Sequence, residues 1–136
     1  MAYSARILAV DDEPDLTDLL HYHLTKAGHD VAIAATGWEA IESVKQRRPD
    51  LILLDLMLPD LDGFGVCELL RNDPETATIP VIIISAWSSS DSRQMGAELG
   101  ALDYLTKPFS PAELVHRVNS LVASRTAATS PDRRSA

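Results

Sequence analysis

Two apolar runs end in carboxylates, and this narrows the folds open to the chain. Leu51-Ile52-Leu53-Leu54 runs into Asp55 and on to Leu56-Met57-Leu58-Pro59; Ile7-Leu8-Ala9-Val10 runs into Asp11-Asp12. Unbroken apolar runs of this length read as strands buried on both faces, the habit of parallel sheets covered by helices. If the two are neighbouring strands, Asp11, Asp12 and Asp55 converge at one sheet edge. Three close anions repel, so something positive must sit among them. A hard divalent cation such as Mg²⁺ suits such a set of oxygens.

The rest of the chain supports a parallel sheet. Short apolar runs alternate with amphipathic stretches, giving predicted strands at 6–10, 30–35, 50–55, 80–85 and 102–106 with helical segments between them. The first helical segment carries Leu16, Leu19, Leu20, His23, Leu24 and Ala27 on one face, with Pro14 in its first turn and Gly28 at its end. Thr36 with Glu39, and Ser110 with Glu113, have the spacing of capping boxes. The last helix is expected to bury Leu114, Val115, Val118, Leu121 and Val122. The predicted architecture is a doubly wound α/β sheet of five parallel strands with helices on both faces. One domain spans 5–123; from Ser124 the periodicity fades, and 124–136 reads as a flexible tail or linker stub.

Composition excludes several classes. The chain has 136 residues, 46% of them hydrophobic, enough for one core. No apolar stretch approaches the roughly 20 residues of a membrane helix, so no membrane partner is expected. A single cysteine, Cys67, allows no intrachain disulfide, and a cytoplasmic location is the default. A net charge of −8 argues against direct nucleic-acid binding by this domain. The acidity fits ordinary solubility and an acidic pocket equally well.

In open α/β sheets, ligands bind beyond the carboxyl ends of the strands. Those ends here offer Asp11, Asp12 and Asp55, the hydroxyl of Ser85 and the ammonium of Lys107. This set suits phosphoryl transfer to a carboxylate. Asp55 would be the nucleophile, Mg²⁺ would neutralise charge, Lys107 would contact the phosphoryl group, and Ser85 would donate to one of its oxygens. Read singly, each residue has a plainer role. Asp11 and Asp12 suit a helix cap, Ser85 a turn, Tyr104 a core edge, and Lys107 a solvated surface.

Taken together and in order, these motifs resemble the receiver domain of two-component response regulators. The resemblance rests on Val10-Asp11-Asp12-Glu13, Asp55 to Pro59 with Asp62-Gly63, Ser85-Ala86, and Gly100-Ala101 through Asp103-Tyr104-Leu105-Thr106-Lys107-Pro108-Phe109. It implies a flavodoxin-like sheet of order 2-1-3-4-5. Asp55 would be the phosphoacceptor, fed by a histidine kinase. Asp12 would be a direct metal ligand, Asp11 a ligand through water, and the backbone carbonyl of Met57 the remaining protein ligand. The cofactor would be Mg²⁺, with Mn²⁺ as a substitute. Ser85 and Tyr104 would form the switch pair, Lys107-Pro108 would be joined by a cis bond, and helix four, strand five and helix five would form the output surface. Such a domain is no enzyme beyond its own phosphorylation and slow self-dephosphorylation.

The segment 105–117 is similar to receivers of the winged-helix transcription regulators. That branch implies a phosphorylation-dependent homodimer, with Arg93–Glu113 and Asp103–Arg117 pairs across a two-fold axis. Leu102 departs from the acid common there, and Ser85 replaces the more frequent threonine. Trp87 and Met57, two residues past Ser85 and Asp55, are placed to obstruct water and slow phosphoryl loss. His21, His23, His29 and His116 share no metal-ligand spacing and read as surface or core-edge residues, Cys67 as a buried apolar group, and Trp38 as packing on the second helix.

Two other classes compete. A phosphoaspartate phosphatase of the haloacid-dehalogenase type wants a second acid two residues after the nucleophile, where this chain has Met57. A flavodoxin-like cofactor binder wants a phosphate cradle after strand one, where Asp11-Asp12-Glu13 would repel a phosphate.

Overall fold

In a computed structural model that describes residues 4–128, the chain alternates strands and helices throughout. The strands are β1 (Arg6–Val10), β2 (Asp30–Ala34), β3 (Leu51–Leu54), β4 (Val81–Ser85) and β5 (Asp103–Thr106). The helices are α1 (Pro14–Lys26), α2 (Gly37–Gln46), α3 (Gly63–Asn72), α4 (Ser90–Glu98) and α5 (Pro111–Ala128). All pairings are parallel, in the order β2-β1-β3-β4-β5. The carboxyl ends are in register, with Val10 opposite Leu54, Leu54 opposite Ile83, and Ser85 opposite Thr106.

The period of two along each strand divides the core between two layers. Leu8, Val10, Ile52, Leu54, Val81 and Ile83 pack with Ala40, Val44, Val66, Cys67 and Leu70 of α2 and α3. Ile7, Ala9, Leu51, Leu53, Ile82 and Ile84 pack with Leu20, Leu24, Leu114, Val118 and Val122 of α1 and α5. Both faces are covered, which is why the central runs contain no polar residue. Each buried Leu or Ile contributes about 1.5–3 kcal/mol relative to exposure.

Helix starts follow their caps. Thr36 Oγ1 accepts from Glu39 N at 3.1 Å and Ser110 Oγ from Glu113 N at 2.9 Å, as the capping pattern predicts. Asp62 does the same for Gly65 N at 2.8 Å and Ser89 for Ser92 N at 3.1 Å. Gly28 follows α1 at φ +100°, a backbone region that costs glycine little.

The structure corrects several smaller expectations. Leu19 is exposed and Thr17 is buried instead, because Thr17 Oγ1 returns its hydrogen bond to the Pro14 carbonyl at 3.1 Å. His29 is fully interior: its Nδ1 accepts from Ala5 N at 3.0 Å and its Nε2 lies 2.7 Å from Asn119 Oδ1. Both ring nitrogens are satisfied, so burial carries little penalty. Trp38 lies on α2 but is largely exposed. α5 continues past Ser124 to Ala128, and the remainder of the expected tail, 129–136, lies outside the described residues. Cys67 is buried as expected, and burial pushes its thiol up to about 11.

Candidate functional site

The strand ladder places the acids. Asp11 N donates to Ala34 O at 3.1 Å and Asp55 N to Val10 O at 3.0 Å, so both residues continue the sheet by one hydrogen bond. Their side chains therefore leave the core together at the carboxyl edge. Carboxylate oxygens of Asp11, Asp12 and Asp55 lie within 4.8 Å of one another. Asp11 and Asp55 are buried and Asp12 is exposed.

Lys107 reaches into this group from the end of β5. Its Nζ is 2.8 Å from Asp11 Oδ2, 3.4 Å from Asp55 Oδ2 and 3.5 Å from Glu13 Oε1. Its own N–H donates to Ser85 O at 2.8 Å, and the Lys107-Pro108 bond is cis, as the resemblance implied. Asp11 Oδ1 is taken by Glu13 N at 2.9 Å. Both oxygens of Asp11 thus have protein partners, while Asp12 is exposed with a carboxylate oxygen within 4.8 Å of those of Asp11 and Asp55. Three hard oxygen donors, one exposed, suit a small divalent ion that retains water.

The electrostatics agree with this crowding. Burial, followed by the charge of Asp11, raises the Asp55 carboxyl above the ordinary carboxylate range; Lys107 and the Met57 N–H pull it partly back. For Lys107, burial acts to lower its value. The hydrogen bond to Asp11 and the charges of Asp55, Asp11 and Glu13 together outweigh burial and hold it above the ordinary ammonium range.

Ser85 is completely buried at the end of β4. Its Oγ accepts from Trp87 N at 3.1 Å, and the Trp87 carbonyl accepts from the Tyr104 hydroxyl at 2.6 Å. Arg93 lies over the Tyr104 ring at 4.8 Å, and its Nη2 donates to Thr106 Oγ1 at 2.6 Å. Arg117 Nη1 donates to both Asp103 oxygens at 2.8 Å, and Nη2 to Glu113 Oε2 at 3.2 Å. The Asp103–Arg117 pair expected between two chains is therefore made within one chain here. Met57 N lies 3.3 Å from Asp55 Oδ1, and the side chains of Met57 and Trp87 are exposed.

Two residues of the site region went unnoticed in the sequence. Asp60 accepts from Gly37 N at 2.9 Å, Trp38 N at 3.3 Å and Leu61 N at 2.6 Å, tying the β3–α3 loop to the start of α2. Desolvation acts to raise its carboxyl, but the N–H groups of Leu61, Gly37 and Trp38 together outweigh it and lower it. Phe64 stacks on Trp87, with ring centroids 6.5 Å apart. Nothing in a Gly-Phe-Gly segment signals such a partner.

A strand order reversing at β1 and β3, with an acidic cluster there and a lysine brought in from β5, matches a known family. The family model for the response regulator receiver domain matches residues 7–119. The chain is a response regulator receiver domain. Similar curated proteins include the DNA-binding dual master transcriptional regulator RpaA of Synechocystis, 46% identical over 117 residues that cover 86% of this chain and 48% of that protein. The DNA-binding response regulator MtrA of Mycolicibacterium smegmatis is 44% identical over 115 residues, covering 85% and 49%. The receiver thus spans about half the length of the curated relatives it matches. These relatives are transcriptional regulators, in keeping with the winged-helix branch that the segment 105–117 resembles. Among solved structures, a putative response regulator from Chloroflexus aurantiacus superposes with a TM-score of 0.83 at 38% identity, covering 88% of this chain and 98% of that one. The Francisella response regulator 1452 receiver domain gives 0.83 at 35%, covering 89% and 98%. Among the described residues, no helix is long and apolar enough to cross a membrane.

Proposed function

We propose that Asp55 of this receiver accepts a phosphoryl group from a phosphohistidine of a histidine kinase, and that the modified domain signals through α4, β5 and α5. A carboxylate oxygen of Asp55 forms the new O–P bond as the P–N bond to the donor imidazole breaks. The freed imidazole nitrogen takes a proton from solvent. The observation that carries this reading is the lysine shared between Asp11 and Asp55 at 2.8 and 3.4 Å. Lys107 lies near enough to Asp55 to meet the incoming phosphoryl oxygens, yet is anchored chiefly on Asp11.

A metal ion held by Asp12, Asp55 and the Met57 carbonyl, with Asp11 acting through water, would supply charge neutralisation for the dianionic group; Mg²⁺ fits, and Mn²⁺ would substitute. The buried Ser85 hydroxyl donates to a phosphoryl oxygen. An apolar groove of Leu16, Leu19, Pro108 and Phe109 flanks Lys107 and suits the helical face of a donor domain. The phosphoryl group shifts a pre-existing balance of conformations through Ser85, Tyr104 and Lys107. Arg93, Asp103, Glu113 and Arg117 then serve a phosphorylation-dependent homodimer. The setting is cytoplasmic, and DNA contact is left to any effector joined to the receiver.

The test is intact mass after incubation with acetyl phosphate, with and without Mg²⁺, beside Asp55→Asn. A single phosphoryl adduct that requires both Mg²⁺ and Asp55 is expected. An adduct that persists in Asp55→Asn would overturn the assignment.

A further inference from the structure

Trp87 is held by three groups, each from a different part of the domain. Its N–H donates to Ser85 Oγ at 3.1 Å and its carbonyl accepts from the Tyr104 hydroxyl at 2.6 Å. Its ring stacks on Phe64 at 6.5 Å with 30° between the planes. Phe64 is itself referenced to the backbone of Asp55. It follows Gly63, whose N–H donates to Leu56 O at 3.0 Å. A Cβ on Gly63 would lie 2.5 Å from the Asp55 carbonyl oxygen, so α3 begins in direct contact with the chain at Asp55. The segment 86–91 is by contrast exposed throughout, and α4 buries only Gly96.

We infer that the Phe64–Trp87 ring pair is a positioning device for the reaction at Asp55, registering the β4–α4 loop, and with it Ser85 and Tyr104, against the loop that follows Asp55. A hydroxyl has two lone pairs and one proton. Trp87 N–H occupies one lone pair of Ser85 Oγ, which biases the hydroxyl rotor and leaves its proton for an anionic oxygen in the site. The Trp87 carbonyl meanwhile fixes the Tyr104 hydroxyl. Both bonds come from the backbone of a residue whose ring is pinned, so loss of Phe64 loosens them without removing any group that touches the phosphoryl. This inference rests on Asp55 being the phosphoacceptor.

The test uses Phe64→Ala and Phe64→Tyr in a Trp38→Phe background, so that emission reports Trp87 alone. The resting emission of Phe64→Ala should shift to the red as the ring enters water. With Mg²⁺ present, its half-saturating beryllofluoride concentration should rise about fivefold, the weight of one aromatic pair. Phe64→Tyr, which keeps the stack, should restore both values; Phe64→Ala also lowers the thermal midpoint, because Phe64 packs against the core layer of α2 and α3. Unshifted emission, an unchanged beryllofluoride titration, or a loss that Phe64→Tyr fails to restore would each overturn the inference. A parent protein that binds no beryllofluoride would instead overturn the phosphoacceptor reading, and this inference with it.

Discussion

Lys107 rests nearer to Asp11 than to Asp55, 2.8 Å against 3.4 Å. The ammonium therefore has a resident partner and is free to give its weaker contact to an incoming phosphoryl group. Removing it leaves two buried carboxylates without a cation. Lys107→Met should cost about 3 kcal/mol of stability, the order found when one member of a buried pair is deleted. Asp11→Asn in the same chain should recover part of that loss. Chemical denaturation of the single and double variants checks both statements; additive losses would show that the pair is not coupled.

Asp55 carries an electrostatic burden of its own. Its carboxyl is raised, first by burial and then by Asp11, so the fold disfavours the ionised form. In that case the native state holds a proton at pH values where the unfolded chain has released it. Stability falls as pH rises from the ordinary carboxylate range through the raised native value, and the full cost remains at neutral pH. Asp55→Asn should then melt higher than wild type at pH 7, by on the order of 2–4 °C. The advantage should vanish near about pH 3, where both states are protonated. Melting curves at the two pH values decide it, and a variant less stable at neutral pH would contradict the account.

A divalent cation acts on the same burden from the other side. At ten times its dissociation constant, Mg²⁺ should stabilise wild type by about 1.4 kcal/mol. The gain should shrink in Asp12→Ala, whose exposed carboxylate is the one least engaged with protein groups. Thermal shift against Mg²⁺ concentration measures this, and equal shifts in both proteins would remove Asp12 from the ligand set.

How far the molecule could be read in advance follows from which interactions are local. A parallel sheet covered on both faces was legible because Leu51–Leu54 and Val81–Ile84 are apolar without a break, and residue spacing carries that information; the order of the strands came only through the family resemblance. The converging acids were legible for the same reason, since Asp11 and Asp55 each lie one residue past a strand end and Asp12 follows directly. His29 was not. Its burial depends on Ala5 and Asn119, far away in sequence, satisfying its two nitrogens. Trp38 failed differently: a large aromatic on a helix suggests packing, yet α2 presents it beside a groove at the surface. The stack of Phe64 on Trp87 and the N–H groups of Gly37 and Trp38 gathered by Asp60 join a loop residue to the first turn of a helix distant in sequence, a contact that no periodicity reports.

The two partners of His29 should differ in weight. His29→Leu leaves the buried Ala5 N–H without an acceptor and should cost about 2 kcal/mol. Asn119 is exposed, so water can replace its oxygen, and Asn119→Ala should cost less than about 1 kcal/mol. Urea midpoints of the two variants test the ranking.

Arg117 presents the sharpest question about association, because Asp103 and Glu113 of its own chain already hold it. An exposed pair of this kind contributes only about 0–1 kcal/mol, so exchanging it for the same pair across a two-fold axis is nearly neutral. Phosphorylation then needs to supply only a small bias. Reversing one charge separates the two arrangements. Asp103→Arg alone places two cations at positions 103 and 117 of one chain, and Arg117→Asp alone places two anions there. Neither phosphorylated variant should self-associate. Mixed together, they restore an Arg–Asp contact at both symmetric positions between chains while leaving like charges within each chain. Sizing of the phosphorylated mixture should therefore show a heterodimer that neither variant forms alone. A mixture that stays monomeric, alongside a phosphorylated wild type that dimerises, would confine the Asp103–Arg117 pair to the interior of a single chain.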